Sequence, residues 1–581
     1  NDPGQPGAPN PNYNPQFRTI SAMFEVWPGD IIPADLAPTQ IGVSIQAPGS
    51  QFDGATVCKL DDATPQFFAV SKPYGSSNDS INIFGLHFGA TQGTGKVFLD
   101  NLSLPVTGWT DRQITVRIPS SATPGQHQLM VKADNGQSLV NGLSFHVLGT
   151  GYQPTIFEVK SGPPDPANRI FDNIQAAVDA ASADGILDPL VVVYPGSPAS
   201  FNPMGIWYEN VVMYKPIKLQ GVGAGGVYSD STFVPGSIID GSGFAGDTQA
   251  ATDWRALVNS LQWDGNQQPY EGEVIMVVAR SGQFTSSFAA SIDGFTIQGG
   301  NQQGVNQIGG PEGNPVAEGI GVPISQGGGI FVNAYGRNLR ITNNVFASNG
   351  GSYGGAIRLG TPMIGSNHNE NVVINHNMII ANGGSNLAGA IGIFAGSNNY
   401  EIAYNDICGN FSAEYGGGIS HYGYSPNGQI HNNRIYFNRS YDEGGGVFVA
   451  GELPANPGVL SDGSGPVNIY DNIIQANLAN DDGGGLRFLM VENFPINVYN
   501  NVVANNVSTH EGAGIALDDA PDLRIFNNTV MKNITTATAF TSNGMPAPTG
   551  LSTVANSQQL QAILPADSQT FRKPALFNNI S

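Results

Sequence analysis

The chain has only two cysteines among 581 residues, Cys58 and Cys408, which lie 350 positions apart (408 − 58). So few, so widely separated, make neither a disulfide framework nor a cysteine-based metal site, and two isolated small side chains are expected. Charge is scarce as well. Charged residues make up 12%, and 45 Asp and Glu outnumber 23 Lys and Arg, leaving a net charge of −22. An acidic surface of that size argues against nucleic acid or an anionic membrane as partner and suits neutral glycans, cationic partners or divalent cations. No apolar run approaches the ~18 residues of a membrane span. The opening "NDPGQPGAPNPNYNP" has neither a basic start nor an apolar stretch, so a signal peptide is expected to have been removed or to lie outside this sequence.

What is abundant is glycine, 76 residues, with 39 prolines, a balance that suits short strands and turns better than a helical enzyme. The length favours more than one domain. Much of the glycine and asparagine falls in a repeat. Its lines are "ITNNVFASN", "INHNMIIAN", "IAYNDICGN", "IHNNRIYFN", "IYDNIIQAN", "VYNNVVANN" and "IFNNTVMKN". Their fourth residues are Asn344, Asn377, Asn405, Asn433, Asn472, Asn501 and Asn528, each followed five positions later by Asn349, Asn382, Asn410, Asn438, Asn477, Asn506 and Asn533. Between these lines come glycine lines such as Gly354-Gly355-Ala356-Ile357, Gly416-Gly417-Gly418-Ile419 and Gly483-Gly484-Gly485-Leu486.

A period near thirty residues signals a repeat architecture. The units hold short alternating stretches and no helical periodicity, so each is expected to form one coil of a parallel β-structure, stacked at about 4.8 Å. Asn suits a corner column because it tolerates left-handed turns and its amide bonds to copies above and below. Glycine serves the other corner. The Asn residues therefore read as a structural ladder. Asn-x-Ser/Thr sites such as Asn410 and Asn438 fall out of the same richness in Asn, a weak basis for inferring glycosylation. Upstream, "DNIQAAVDAASADG" places Ile174, Ala177, Val178 and Ala181 on one helical face, with Asp172 or Asn173 to cap it, as a plug for the first coil. "SIIDGSG" and "SIDGFTIQGG" read as early coils, with Gly294 in the place Asn344 takes later. Residues 242–283 and 300–325 read as long loops.

From Phe171 to Ser581, "NIQAAVDAA", "VVVYPG", "ENVVMYKPIKLQGVG", "IDGFTI" and the Asn/Gly repeat resemble the right-handed parallel β-helix of the pectate-lyase-like superfamily. That resemblance implies the fold and leaves activity open, because such coils carry lyases, hydrolases, epimerases, adhesins and surface proteins alike. Residues 65–147 alternate strands with frequent turns. "IFGLHFG", "TDRQITVRIP" and "PGQHQLMV" resemble the IPT/TIG immunoglobulin-like domain, which implies a spacer or contact module of a bacterial surface protein. Trp109, His87, His127 and His146 read there as packing or surface residues.

The expected architecture is all-β: an unidentified Pro-rich segment with some strands at 1–64, a TIG-like sandwich at 65–149 and a β-helix at 150–581 with its helix cap near 172–183. "GTGYQPT" (149–155) is the linker. "PALFNNIS" repeats an Asn line at the far end and is expected to continue, or to be capped by another domain or subunit.

Chemistry is sought in the residues before each glycine line: Glu414-Tyr415, Asp442-Glu443, Asp481-Asp482 and His510-Glu511. Stacking would set Glu414, Asp442, Asp481 and Glu511 in one column, where repulsion raises carboxylate pKa values or recruits a cation. Three readings compete: a solvated acidic face, a calcium site at Asp442, Asp481 and Asp482, and carboxylate-pair glycan chemistry with Asp442, Asp481 and His421 as catalytic candidates. Glu414, Glu443, Asp482, Glu511, Arg358 and Arg487 are the candidates for substrate binding. His421 falls on an inward, otherwise apolar position and also reads as a buried core histidine. No catalytic motif of the pectate lyases or polygalacturonases stands at a matching position. The favoured reading is a non-enzymatic secreted or cell-surface protein, adhesive, structural or glycan-contacting, partnered by glycans or other extracellular subunits. The alternative is a polysaccharide lyase, hydrolase or epimerase using the acidic column.

Overall fold

The structure is a computed structural model that describes residues 58–581 apart from 201, 243–247, 266–271, 301–327, 385, 457, 540–541, 546, 569, 571–573 and 581. Most of the Pro-rich segment at 1–64 and nearly all of the loop expected at 300–325 therefore lie outside the described residues.

Strands from successive repeats pair in parallel, each with its copy in the next coil. They form one sheet of thirteen strands, two of ten and one of seven. The chain is a right-handed parallel β-helix preceded by an Ig-like sandwich. Alternation does the sorting. In strand Ile357–Leu359, Ile357 and Leu359 join the continuous core while Arg358 points outward. The helix Ile174–Ala181 closes the first coil. Asn173 caps it, accepting from Ala176 N at 2.8 Å, and Ile174, Ala177, Val178 and Ala181 are buried as expected.

Both Asn columns are ladders. Asn433 N and Nδ2 each donate to Asn472 Oδ1 at 3.0 Å, while Nδ2 also reaches Ile402 O at 2.9 Å on the preceding coil. Asn405 repeats the pattern one coil earlier, donating to Asn433 Oδ1. The left-handed backbone sits one residue before each ladder Asn, not on it. Asn343, His376, Tyr404, Asn432, Asp471, Asn500 and Asn527 all have φ between 55° and 59°. The expectation that the ladder Asn itself takes the turn is thus corrected. The amide's task is purely hydrogen bonding, and the strain falls on whichever residue precedes it. The same register moves Gly294, with φ 78°, into the place of Asn343, and Phe295 takes that of Asn344. Asn344 Oδ1 accepts from Phe295 N. Asn410 and Asn438 are buried in the second ladder, so these two sequons present no amide to a glycosylating enzyme.

Two further expectations change. The stretch 242–283 is not a plain loop, because it holds the helix Thr248–Ser260 and the strand Ile275–Val277. Ala251, Trp254 and Val258 of that helix pack on Val212, Met276 and Phe331, outward residues of the coil. Cys58 and Cys408 are joined in a disulfide, with Cα atoms 5.7 Å apart. Ile407 enters the core, so Cys408 faces outward, where the chain ahead of the sandwich meets it beside Tyr436.

The sandwich packs a sheet ordered from strands 66–70, 80–86, 113–117 and 106–109 against a five-stranded one. It also docks on the coil's flank. Asp293, fully buried, accepts from Ser144 N, Ser144 Oγ, Gln220 Nε2, Asn343 Nδ2 and Thr342 Oγ1. Gln128 exchanges amide hydrogen bonds with Asn343, and Val70 N donates to Val222 O. The 149–155 connection is packed too: Tyr152 stacks on His146 and its hydroxyl accepts from Lys218 Nζ at 3.2 Å.

Candidate acidic site

Successive coils align the residues before the glycine lines into two adjacent columns. Backbone bonds run from Asp442 N to Glu414 O, Asp481 N to Asp442 O and His510 N to Asp481 O. The neighbouring column is Tyr415, Glu443, Asp482 and Glu511, tied by Gly416 N to Glu443 O, Gly444 N to Asp482 O and Gly483 N to Glu511 O. The expected column of Glu414, Asp442, Asp481 and Glu511 is therefore corrected in its last rung. Glu511 belongs to the second column, and His510 stands above Asp481. Taken position by position, the aligned pairs already contain this.

The geometry depends on glycine at one corner. Gly416, Gly444, Gly483 and Gly512 have φ between 56° and 73°, and a Cβ on the following Gly417 would lie 2.4 Å from Arg439 O. The chain can then turn directly from the acidic pair into the strand that carries Arg487.

Arg487 is the largest departure from a plain acidic face. Its column runs Arg358, Gly392, Ser420, Phe448, Arg487 and Ala516 on the outer side. Its side chain is 4% exposed. It grips Glu443 with two hydrogen bonds, Nε to Oε2 at 2.9 Å and Nη2 to Oε1 at 3.1 Å. Nη2 also lies 3.7 Å from Asp482 and 3.8 Å from Asp518. Burial works against its charge, but Glu443, Asp482 and Asp518 outweigh that and raise its pKa. Asp482 is pushed up to about 7, first by burial and then by Glu443 and Asp481, against the pull of Arg487 and His510. Burial likewise raises Asp518. His510 Nδ1 is 3.2 Å from Asp481 Oδ1 and 3.0 Å from Asp482 Oδ1.

The other candidates are placed apart from this group. Arg358, expected to bind substrate, lies four strands away along the outer column and is 1% exposed. It is roofed by Phe331 and Tyr353, with ring centroids 4.4 and 4.9 Å away, and it donates to Gly360 O and Thr361 Oγ1. His421, a catalytic candidate, points into the coil between Ile393 and Val449. It is fully buried, with Nδ1 2.8 Å from Tyr400 Oη and Nε2 2.9 Å from Gly423 O, and burial pushes its pKa down to about 4. That is a satisfied core histidine, and it does not join the carboxylates. Asp442 and Glu414 are half-buried in the first column, one and two coils before Asp481. Sequence reasoning did not give a role to Asp518, Glu492 or Asp519. Glu492 stacks on Asp519, its N–H donating to Asp519 O, and both take left-handed backbone, φ 67° and 46°. Burial and then Asp519 push Glu492 up to about 8. The signal for this corner is an acidic residue where an earlier coil has Gly423, with φ 99°.

Residues 65–147 match the family model of the IPT/TIG domain. The IPT/TIG domain is thus the sandwich that docks on the coil. The comparison with curated proteins gave no match. Among solved structures, the γ-CGTase of the alkalophilic Bacillus clarkii is 26% identical over 18% of this chain, with a TM-score of 0.15. The match spans 15% of that enzyme's length. The family 28 exopolygalacturonase of Yersinia enterocolitica is 10% identical, over 89% of this chain and 99% of its own, with a TM-score of 0.22.

Proposed function

We propose that the protein is a secreted or cell-surface component of a larger extracellular assembly, with a structural, adhesive or glycan-contacting role. The Cys58–Cys408 disulfide carries this reading, because such bonds persist in oxidising compartments. The TIG domain supports it by being seated on the coil through a buried carboxylate network, which sets the two side by side. Among the described residues no helix is long and apolar enough to cross a membrane. In the acidic columns Arg487 grips Glu443, and His510 engages Asp481, one of the two carboxylates that a hydrolytic mechanism would use, which favours a binding or structural role.

The test has two parts. Thiol titration of the protein recovered from its native source should find Cys58 and Cys408 oxidised, and free thiols in a cytosolic fraction would overturn the location. On a glycan panel, retention without reducing-sugar release or unsaturated-uronate absorbance is expected. Turnover that disappears in Asp481→Asn would establish the enzyme reading instead.

A further inference from the structure

Asp481 and Asp482 sit on one coil and His510 on the next, and their nearest ligating atoms all lie within 4.8 Å of one another. The three are held in place by the coil itself. The backbone bond from His510 N to Asp481 O fixes one rung on the other, and Glu511 N donates to Asp482 Oδ1 at 3.1 Å. The side chains of Asp481, Asp482 and His510 are 21%, 11% and 30% exposed, so the group opens to solvent on one side. Charge around it is unbalanced. Glu443, Asp482 and Asp518 surround the guanidinium of Arg487, and Asp481 adds a further carboxylate beside His510. Arg487 also holds a buried donor, Nη1, that has no hydrogen-bond partner, on a guanidinium whose Nη2 is 3.7 Å from Asp482.

The geometry points to a binding site for one divalent transition-metal ion of the Zn2+ or Mn2+ class on Asp481, Asp482 and His510. The imidazole decides the class. Calcium and magnesium take oxygen donors almost exclusively, whereas one nitrogen with two carboxylates suits divalent first-row transition-metal ions. Three protein ligands leave coordination positions open on the exposed side. A water or sugar hydroxyl held there by the ion is the kind of acceptor that Arg487 Nη1 lacks. Asp442, an expected calcium ligand, is on the preceding coil and is not needed. The ion adds two positive charges where the carboxylates outnumber the cations. The site stands independently of the extracellular role proposed above.

Isothermal titration of the EDTA-stripped full chain with Mn2+, Zn2+, Ca2+ and Mg2+ tests it, with Mn2+ electron paramagnetic resonance as a second readout. One ion per chain is expected, with Mn2+ and Zn2+ bound at least about tenfold more tightly than Ca2+. His510→Ala and Asp481→Asn should each weaken that binding by about tenfold or more. His127→Ala, which removes a histidine of the TIG domain paired with Asp100, should change nothing. Absence of binding would overturn the proposal, leaving His510 as an ion-pair partner only. So would calcium binding at least as tightly as Mn2+, or affinity unchanged by His510→Ala in a variant whose melting temperature matches the parent.

Discussion

The Asn ladders and the acidic columns stack at the same coil spacing, yet only the ladders repeat without alteration. An amide carries a donor and an acceptor on one side chain, so each copy satisfies its neighbours and leaves nothing over. Asn377, Asn405, Asn433 and Asn472 accordingly show the same bonds at distances near 3.0 Å. A carboxylate only accepts, and it repels its own copy. The acidic columns therefore cannot be uniform. One starts at Tyr415, the other ends at His510, and the carboxylates between them hold Arg487 inserted from the adjoining strand. A parallel coil multiplies whatever a position carries, and only self-complementary groups survive the multiplication unassisted.

The sharpest way to break this comparison is to remove the compensating cation. Arg487→Ala leaves Glu443 and Asp482 facing each other inside a nearly dry corner, and a loss of about 3–5 kcal/mol is expected from uncompensated buried charge. Adding Glu443→Gln to that variant should recover a large part of the loss. Denaturant unfolding of the two variants checks both statements, and a melting transition unmoved by Arg487→Ala would show that the columns hold themselves.

Asn433→Leu attacks the other side. It deletes the acceptor for Asn405 and the donors to Ile402 O and Asn472, with no charge involved. A loss of about 2–3 kcal/mol is expected, insensitive to salt. If 1 M salt changed that loss appreciably, the ladder would not be the neutral structure described here.

A third test uses pH. Glu492 has a folded pKa of about 8, above its ordinary value, so its protonated form is favoured by folding. Its contribution is fully present below the unfolded value of about 4.3 and is lost as pH rises through 8. Between pH 5 and 9 the parent's melting temperature should fall by a few degrees more than that of Glu492→Gln. Parallel curves for the two would remove Glu492 from the charged corners.

Most of the coil was legible because its signal is repetition. Seven Asn lines in regular alternation with the glycine lines name the columns, and the inward place of His421 and the outward place of Arg487 follow from alternation alone. The Ala251, Trp254 and Val258 spacing at i, i+3 and i+7 also marks a helix, but it is embedded among polar residues, and so reads as loop. The disulfide was not legible. Its two ends are 350 residues apart, and nothing near Cys58 shows that the chain ahead of the TIG domain runs onto the sheet that carries Cys408. The docking network was hidden for a related reason: Asp293 and Ser144 have no local pattern, and their pairing arises only once two units meet. The carboxylates and Arg487 are legible in the sequence, but the place of His510 is not, because it reads as half of a pair until it is set along its column.

The disulfide has a mechanical consequence for a protein held by its ends. Cys58 precedes the TIG domain, and Cys408 lies in the middle of the coil. A pull applied ahead of Cys58 enters the coil directly at Cys408. The TIG domain and every coil before Cys408 sit inside the closed loop and bear no tension. That loop shelters 350 residues of separation, about 1,200 Å of extended chain, which a reductant would release to the load. Only the later coils, those that carry Glu443, Asp482 and Arg487, lie on the line of force.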